Sequence, residues 1–274
     1  MYIYIYKMLS VDGIILIVSC FKYEKIREQF KIDNDKILNW KVIYLFGDLD
    51  LETDYILEND RLTIRCEDSY LYLIKKLILG MKIIRELFDI KEGILRCGDD
   101  LIFNIPHLMN FLRIDNKQDY IGKNFMKSDV VQPINSIDLD TNMQCLFMRN
   151  YYNRNENEKK QVNAHLATFN VYIDKLCLLP NIRESIALGH IYYLSNKSID
   201  IIIDDFRKKE NNVLYYNSKT NYYPYIYEDI GIGYILFKNN IDLHHYTNMW
   251  YNPHYNGFDT TGEFMCTHTN EGNI

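Results

Sequence analysis

Two acidic pairs and one histidine pair carry most of the chemistry available to this 274-residue chain. Asp99-Asp100 lies between an apolar run ending at Cys97 and the short apolar run Leu101-Ile102-Phe103. Two carboxylates in that setting are costly to desolvate unless a cation or hydrogen-bond donors compensate them. Hard cations such as Mg²⁺ and Mn²⁺ take oxygen ligands and bridge protein carboxylates to substrate phosphates. Gly98-Asp99-Asp100 also suits a plain turn, and spacing alone does not choose. The same triplet occurs in viral RNA polymerases, but this chain is acidic, short for one, and has no basic channel signature. Glu228-Asp229 follows the Tyr-rich stretch Tyr222-Tyr223-Pro224-Tyr225-Ile226-Tyr227. Aromatic surroundings raise a carboxylate's pKa and strengthen it as a base; a helix start, where the macrodipole favours acids, is the structural alternative. His244-His245 offers one imidazole to an oxygen-rich metal site, or two surface side chains.

Other catalytic signatures are missing. There is no phosphate loop ending in Gly-Lys-Ser/Thr, no Gly-x-Ser-x-Gly and no His-Glu-x-x-His, and Gly231-Ile232-Gly233 is too short for a dinucleotide fingerprint.

The elements that must position these residues alternate. The fully apolar run 14–18 predicts a strand buried on both faces, the apolar run 42–46 a second strand, and 62–64 and 93–97 read as a third and a fourth. Helical spacing predicts helices over 23–30 and 70–88, the second capped by Asp68 or Ser69. Alternating strands and helices imply a mostly parallel, Rossmann-like α/β sheet with helices on both faces. Ligands in such sheets bind outside the C-terminal strand ends, which is where Asp99 and Asp100 fall. Farther on, 189–195 reads as a strand and 197–206 as a helix capped by Asn196 or Ser195. Residues 229–238 read as a helix with Glu228 and Asp229 in its first turn. Residues 149–163 read as a solvated loop, 211–227 as irregular, and the polar segment from 252 onward as a partly disordered tail.

Composition sets the outer limits. With 47% hydrophobic and 25% charged residues, the chain has the make-up of a globular domain rather than a disordered or fibrous one. A net charge of −6 gives no electrostatic case for nucleic acid or anionic membrane. The longest nearly apolar run, 13–21, falls far short of the roughly 20 residues needed to span a bilayer. No leader is evident, so a soluble, cytoplasmic protein without a transmembrane anchor is expected. Six cysteines without a Cys-x-x-Cys pair fit buried free thiols in a reducing compartment. Counts of 37 Ile, 28 Asn and 24 Tyr against 3 Ala indicate an AT-rich genome, a viral one among the options, with the host cytoplasm then the expected location.

Taken in order, these segments resemble the family 31 glycosyltransferases, of the β-1,3-galactosyltransferase and fringe type, over most of 13–250. Ile26-Arg27-Glu28 with Phe30 resembles the family's Ile-Arg-Glu-x-Trp. Phe46-Gly47 and Glu58 resemble its second strand end and following Glu. Asp68-Ser69-Tyr70 with Leu73 and Lys76 is similar to Asp-Ser-Tyr-x-Asn-Leu-Thr-x-Lys, with Tyr72 in the Asn place. Gly98-Asp99-Asp100 followed by Leu101-Ile102-Phe103-Asn104 resembles Asp-Asp-Asp-Val-Phe-Val-Asn. Gly189-His190-Ile191-Tyr192-Tyr193-Leu194-Ser195 resembles Gly-Gly-Gly-Tyr-Val-Leu-Ser, and Glu228-Asp229-Ile230 with Gly233 resembles Glu-Asp-Val-x-x-Gly. Gly98 stands where the family has its first acid, His190 and Ile191 replace small residues, and Phe30 replaces Trp.

The resemblance implies a GT-A fold and a metal-dependent inverting transfer of a sugar of the galactose, glucose or N-acetylhexosamine class. The donor is a UDP-sugar and the acceptor a glycan or protein hydroxyl. It implies one domain over 1–274, with a nucleotide-sugar half at 13–104, an acceptor half at 105–250 and a tail at 251–274. Ser19, Arg27, Lys76, Asp99 and Asp100 would hold the nucleotide. Asp100 with His244 or His245 would hold Mn²⁺ or Mg²⁺, and Asp229 would be the general base. The alternative on the same fold is a catalytically inactive nucleotide- or glycan-binding module, for which Gly98 is the main support. An unrelated nucleotide-binding α/β protein is the third reading.

Overall fold

The computed structural model describes residues 8–21, 32, 37–68, 72–124, 155–160, 186–208, 228–251 and 262–268. The helices among these residues include α1 (Leu73–Leu87), α2 (Ile105–Leu112), α3 (Asn196–Lys208) and α4 (Glu228–Lys238).

An eight-stranded mixed sheet forms the centre, in the order β3-β4-β2-β1-β5-β8-β7-β9. Its strands are β1 (Leu9–Val18), β2 (Trp40–Gly47), β3 (Tyr55–Glu58), β4 (Arg61–Ile64), β5 (Phe88–Gly98), β7 (Tyr120–Asn124), β8 (Ala187–Ser195) and β9 (His244–His245). β4, β2, β1 and β5 run parallel, whereas β8 is antiparallel to both β5 and β7, and β3 turns back on β4. The expected mostly parallel sheet is therefore a mixed one, with its parallel strands gathered in β4-β2-β1-β5. A separate pair joins β6 (Leu101–Phe103) to β10 (Cys266–His268), antiparallel.

Alternation along β1 shows why its run is apolar throughout. Ile14, Leu16 and Val18 face a core shared with α1, α3 and α4, while Ile15 and Ile17 face a second core that holds Leu108, Phe111 and Leu112 of α2. Both faces are covered, so neither admits polar residues.

Several elements differ from their sequence-based bounds. α1 starts at Leu73 after Tyr72, with no side-chain cap, and Asp68 pairs with Lys76 instead. Phe88 already has extended backbone and opens β5 rather than closing the helix. Within the expected loop at 149–163, the described residues include a helical turn at 156–160, where Asn155 Oδ1 accepts the Glu158 N–H at 2.9 Å. Ser195, one of the two anticipated caps of α3, accepts the Ser198 N–H at 3.3 Å. The polar tail returns to the body: Met265 and Cys266 are 1% exposed and β10 pairs with β6. Cys66, Cys97 and Cys266 are free and buried, and Cys20 is free and half-buried. The expected helix at 23–30, the Ser69 cap, the irregular stretch at 211–227, and Cys145 and Cys177 lie outside the described residues. Among those residues, no helix is long and apolar enough to cross a membrane.

Candidate functional site

Register brings the C-terminal ends of β1, β2 and β5 to one edge, with Val18 beside Leu45 and Gly98. β8 is antiparallel to β5 and so begins at that edge, where Ile191 pairs with Cys97. Four clusters of polar side chains line it.

Ser19 and Asp99 form the first. The Ser19 hydroxyl donates to Asp99 Oδ2 at 2.5 Å. Beneath it Lys76, 2% exposed, donates to the Ser19 carbonyl oxygen and to Asp68 Oδ1, each at 2.6 Å. A lysine buried this deeply needs a carboxylate partner, and α1 supplies the lysine while the segment before it supplies Asp68. Phe21, 42% exposed, rests on Phe46 with ring centroids 5.2 Å apart, and Arg61 stacks on both rings. Arg27 lies outside the described residues.

Asp100 forms the second, and its partner is His268 of β10. His268 Nε2 stands 2.8 Å from Asp100 Oδ2, and the His190 ring packs 4.1 Å from the His268 ring and 4.6 Å from Trp250. Burial alone would raise the Asp100 carboxyl; the hydrogen bond and charge of His268 outweigh it and hold the group below its ordinary value. Burial, reinforced by the neighbouring His268, lowers His190 to about 4. A Cβ at position 98 would come within 2.6 Å of Asp100 Oδ1, so Gly98 leaves room for that carboxylate.

His244 and His245 are brought to a different place. They form β9, on the sheet edge beyond β8 and β7, exposed, with His245 Nδ1 accepting the Asn124 N–H at 3.0 Å. Three strand spacings separate β9 from β5, about 14 Å. The imidazole that meets Asp100 comes instead from the tail, at 168 residues' separation. Among the described residues, no three His, Cys, Asp or Glu side chains converge as a metal cluster.

Asp229 forms the third cluster, at the start of α4. Its Oδ2 accepts the Gly189 N–H at 3.1 Å and its Oδ1 the Ile230 N–H at 2.8 Å. Burial raises its pKa, against the lowering effect of both backbone bonds and of Arg96. Gly189 is open enough for this approach: a Cβ there would sit 3.3 Å from Asp229 Oδ2.

The fourth cluster is Arg96 with Glu228, both about 5% exposed or less, 3.1 Å apart, with Tyr192 donating its hydroxyl to Glu228. Burial pushes Glu228 up to about 7, with Arg96 opposing. Sequence reasoning missed His268, Arg96 and Tyr192. A lone arginine inside the apolar strand Gly93-Ile94-Leu95-Arg96-Cys97 was the available signal for Arg96; the apolar Met265-Cys266 in a polar tail was the one for His268.

No protein-family model matches this chain, and no characterised protein matches it in sequence. The functional reading therefore rests on these clusters.

Proposed function

We propose that the protein is a metal-dependent inverting glycosyltransferase of GT-A type, related to the family 31 enzymes, that uses a UDP-sugar donor. The observation that carries this reading is the line of Ser19–Asp99, Asp100–His268 and Asp229 along one edge of the sheet. An α/β sheet with ligand groups at that edge suits a nucleotide.

A divalent cation fits the donor set. Asp100 would supply a carboxylate oxygen and His268 an imidazole nitrogen, two groups that already meet at 2.8 Å. Mg²⁺ and Mn²⁺ are held by one or two protein groups with substrate phosphates completing the shell, so a larger protein cluster is not required. When bound, Mn²⁺ or Mg²⁺ neutralises charge on the leaving diphosphate.

The chain's own residues do the rest. Asp99, anchored by Ser19, presents its carboxylate to a ribose hydroxyl, and the exposed Phe21 ring offers a face for the base. Asp229 takes the proton of the acceptor hydroxyl as that oxygen attacks the anomeric carbon, and a single displacement inverts the configuration there. A carboxylate has about four acceptor positions, so Asp229, bonded to the Gly189 and Ile230 N–H groups, retains acceptor capacity for that hydroxyl. Its raised pKa makes it a stronger base.

A second reading, a binding module that turns nothing over, draws on Gly98 in place of an acid. Donor turnover separates the two. With a panel of UDP-sugars and Mn²⁺, Asp229→Asn should cut transfer or donor hydrolysis by ~10²–10⁴-fold and leave UDP affinity intact. UDP binding without turnover in the wild type favours the binding module. Wild-type turnover in the variant removes Asp229 as base.

A further inference from the structure

Behind Asp229 lies a buried charge pair that proton transfer itself does not use. Arg96 sits on β5 and is 4% exposed. Its Nη2 is 3.1 Å from Glu228 Oε2, while Nη1 donates to the Gly189 carbonyl oxygen and stands 3.5 Å from that of His190. Glu228 accepts the Tyr192 hydroxyl as well, and the guanidinium lies 5.6 Å from the Tyr192 ring centroid. A buried ion pair is no more stabilising than apolar residues of equal volume, so stability does not account for placing an arginine here. Geometry does. One planar guanidinium grips Glu228, the first residue of α4, and the carbonyl of Gly189, whose N–H holds Asp229. Both the residue before Asp229 and the residue that binds it are tied to one rigid fork.

We propose that Arg96 is the positioning residue for Asp229, clamping the start of α4 to the start of β8 so that the Asp229 carboxylate is held against the Gly189 N–H. The purpose of this alignment rests on the transferase reading, but the clamp is measurable without turnover. The titratable groups around it are Glu228 and Asp229 on α4, Tyr192 and His190 on β8, Tyr120 on β7 and Cys97 beside Arg96 on β5. Arg96 is the permanent cation among them, and its charge favours the ionised form of Asp229.

The test compares the wild type with Arg96→Lys and with the double variant Arg96→Met/Glu228→Gln, which removes the Glu228 carboxylate together with its cation. Three readouts are taken: the ¹³C carboxyl titration of Asp229, identified by its absence in Asp229→Asn; UDP affinity with Mn²⁺; and the pH profile of turnover. In the double variant Asp229 should titrate at higher pH and the acidic limb of turnover should move with it. Neutral-pH turnover should fall by about 10²-fold, the cost of a misplaced catalytic group, with UDP affinity unchanged. Arg96→Lys keeps the charge but loses the fork, so its Asp229 titration should stay near that of the wild type while turnover drops. Wild-type titration in the double variant, or full turnover in Arg96→Lys, overturns the clamp. If the double variant does not fold, Arg96→Lys decides on turnover. If the wild type turns over no donor, the transferase reading fails alone, and hydrogen exchange of the Gly189 N–H, which Asp229 accepts, decides the clamp: faster exchange in Arg96→Lys supports it and wild-type exchange overturns it.

Discussion

Adjacent acids in this protein answer to different neighbours. Asp99 turns to Ser19 and Asp100 to His268; Asp229 takes backbone N–H groups while Glu228 is buried against Arg96 and Tyr192. Glu228 gives a stability prediction. Burial pushes it from 4.5 up to about 7, so between those values the native state keeps a proton that the unfolded chain has released. Stability must then fall as pH rises through that window. Glu228→Gln has no such proton to lose. Urea unfolding from pH 4.5 to 7 should therefore show the wild type losing stability relative to Glu228→Gln as pH rises. A difference that stays constant across the window contradicts the burial account.

Elements set how much the strands tolerate. Gly93 lies in β5 where a Cβ would meet the Leu194 carbonyl oxygen of β8 at 2.1 Å, a backbone atom in a central pair of strands. At Gly98 the obstacle is the Asp100 side chain, which can rotate away. Gly93→Ala should thus cost about 3 kcal/mol in chemical denaturation, near the top of the usual overpacking range. Gly98→Ala should leave the denaturation midpoint nearly unchanged and weaken UDP binding through Asp100. Equal midpoints for the two variants would contradict this contrast. The same elements show what was legible in the sequence. Strands β1 and β2 announce themselves because both faces are buried and the runs 14–18 and 42–46 are apolar throughout. The start of β5 was hidden because Leu87-Phe88 passes from helix to strand with no Gly or Pro between them. β3 was hidden because, on the sheet edge, its residues are half-buried or exposed and its apolar run Tyr55-Ile56-Leu57 is only three residues long. The Asp99-Asp100 and Glu228-Asp229 pairs could be read from type and neighbours. Their partners could not, because Arg96–Glu228 and Asp100–His268 are contacts between distant segments that no local spacing encodes.

Across the whole molecule, the parallel strands bring Ser19, Asp99 and Asp100 to one edge, the antiparallel β8 brings Gly189 and the start of α4 brings Asp229 to it, and the tail closes it. Backbone bonds from Tyr251 to Cys266 and from Asn104 to Met265, at 2.9 Å each, pin β10 so that His268 reaches Asp100. We propose that this edge binds a nucleoside diphosphate through a divalent cation that Asp100 and His268 would hold. Calorimetric titration of UDP with and without Mn²⁺ tests it most directly, run on the wild type, Asp100→Ala, His268→Ala and the double variant His244→Ala/His245→Ala. Mn²⁺ should strengthen UDP binding in the wild type and the double variant. That gain should be lost in Asp100→Ala and His268→Ala, with melting temperatures close to that of the wild type. Absence of a Mn²⁺ effect in the wild type, or a full effect in Asp100→Ala and His268→Ala, would contradict it.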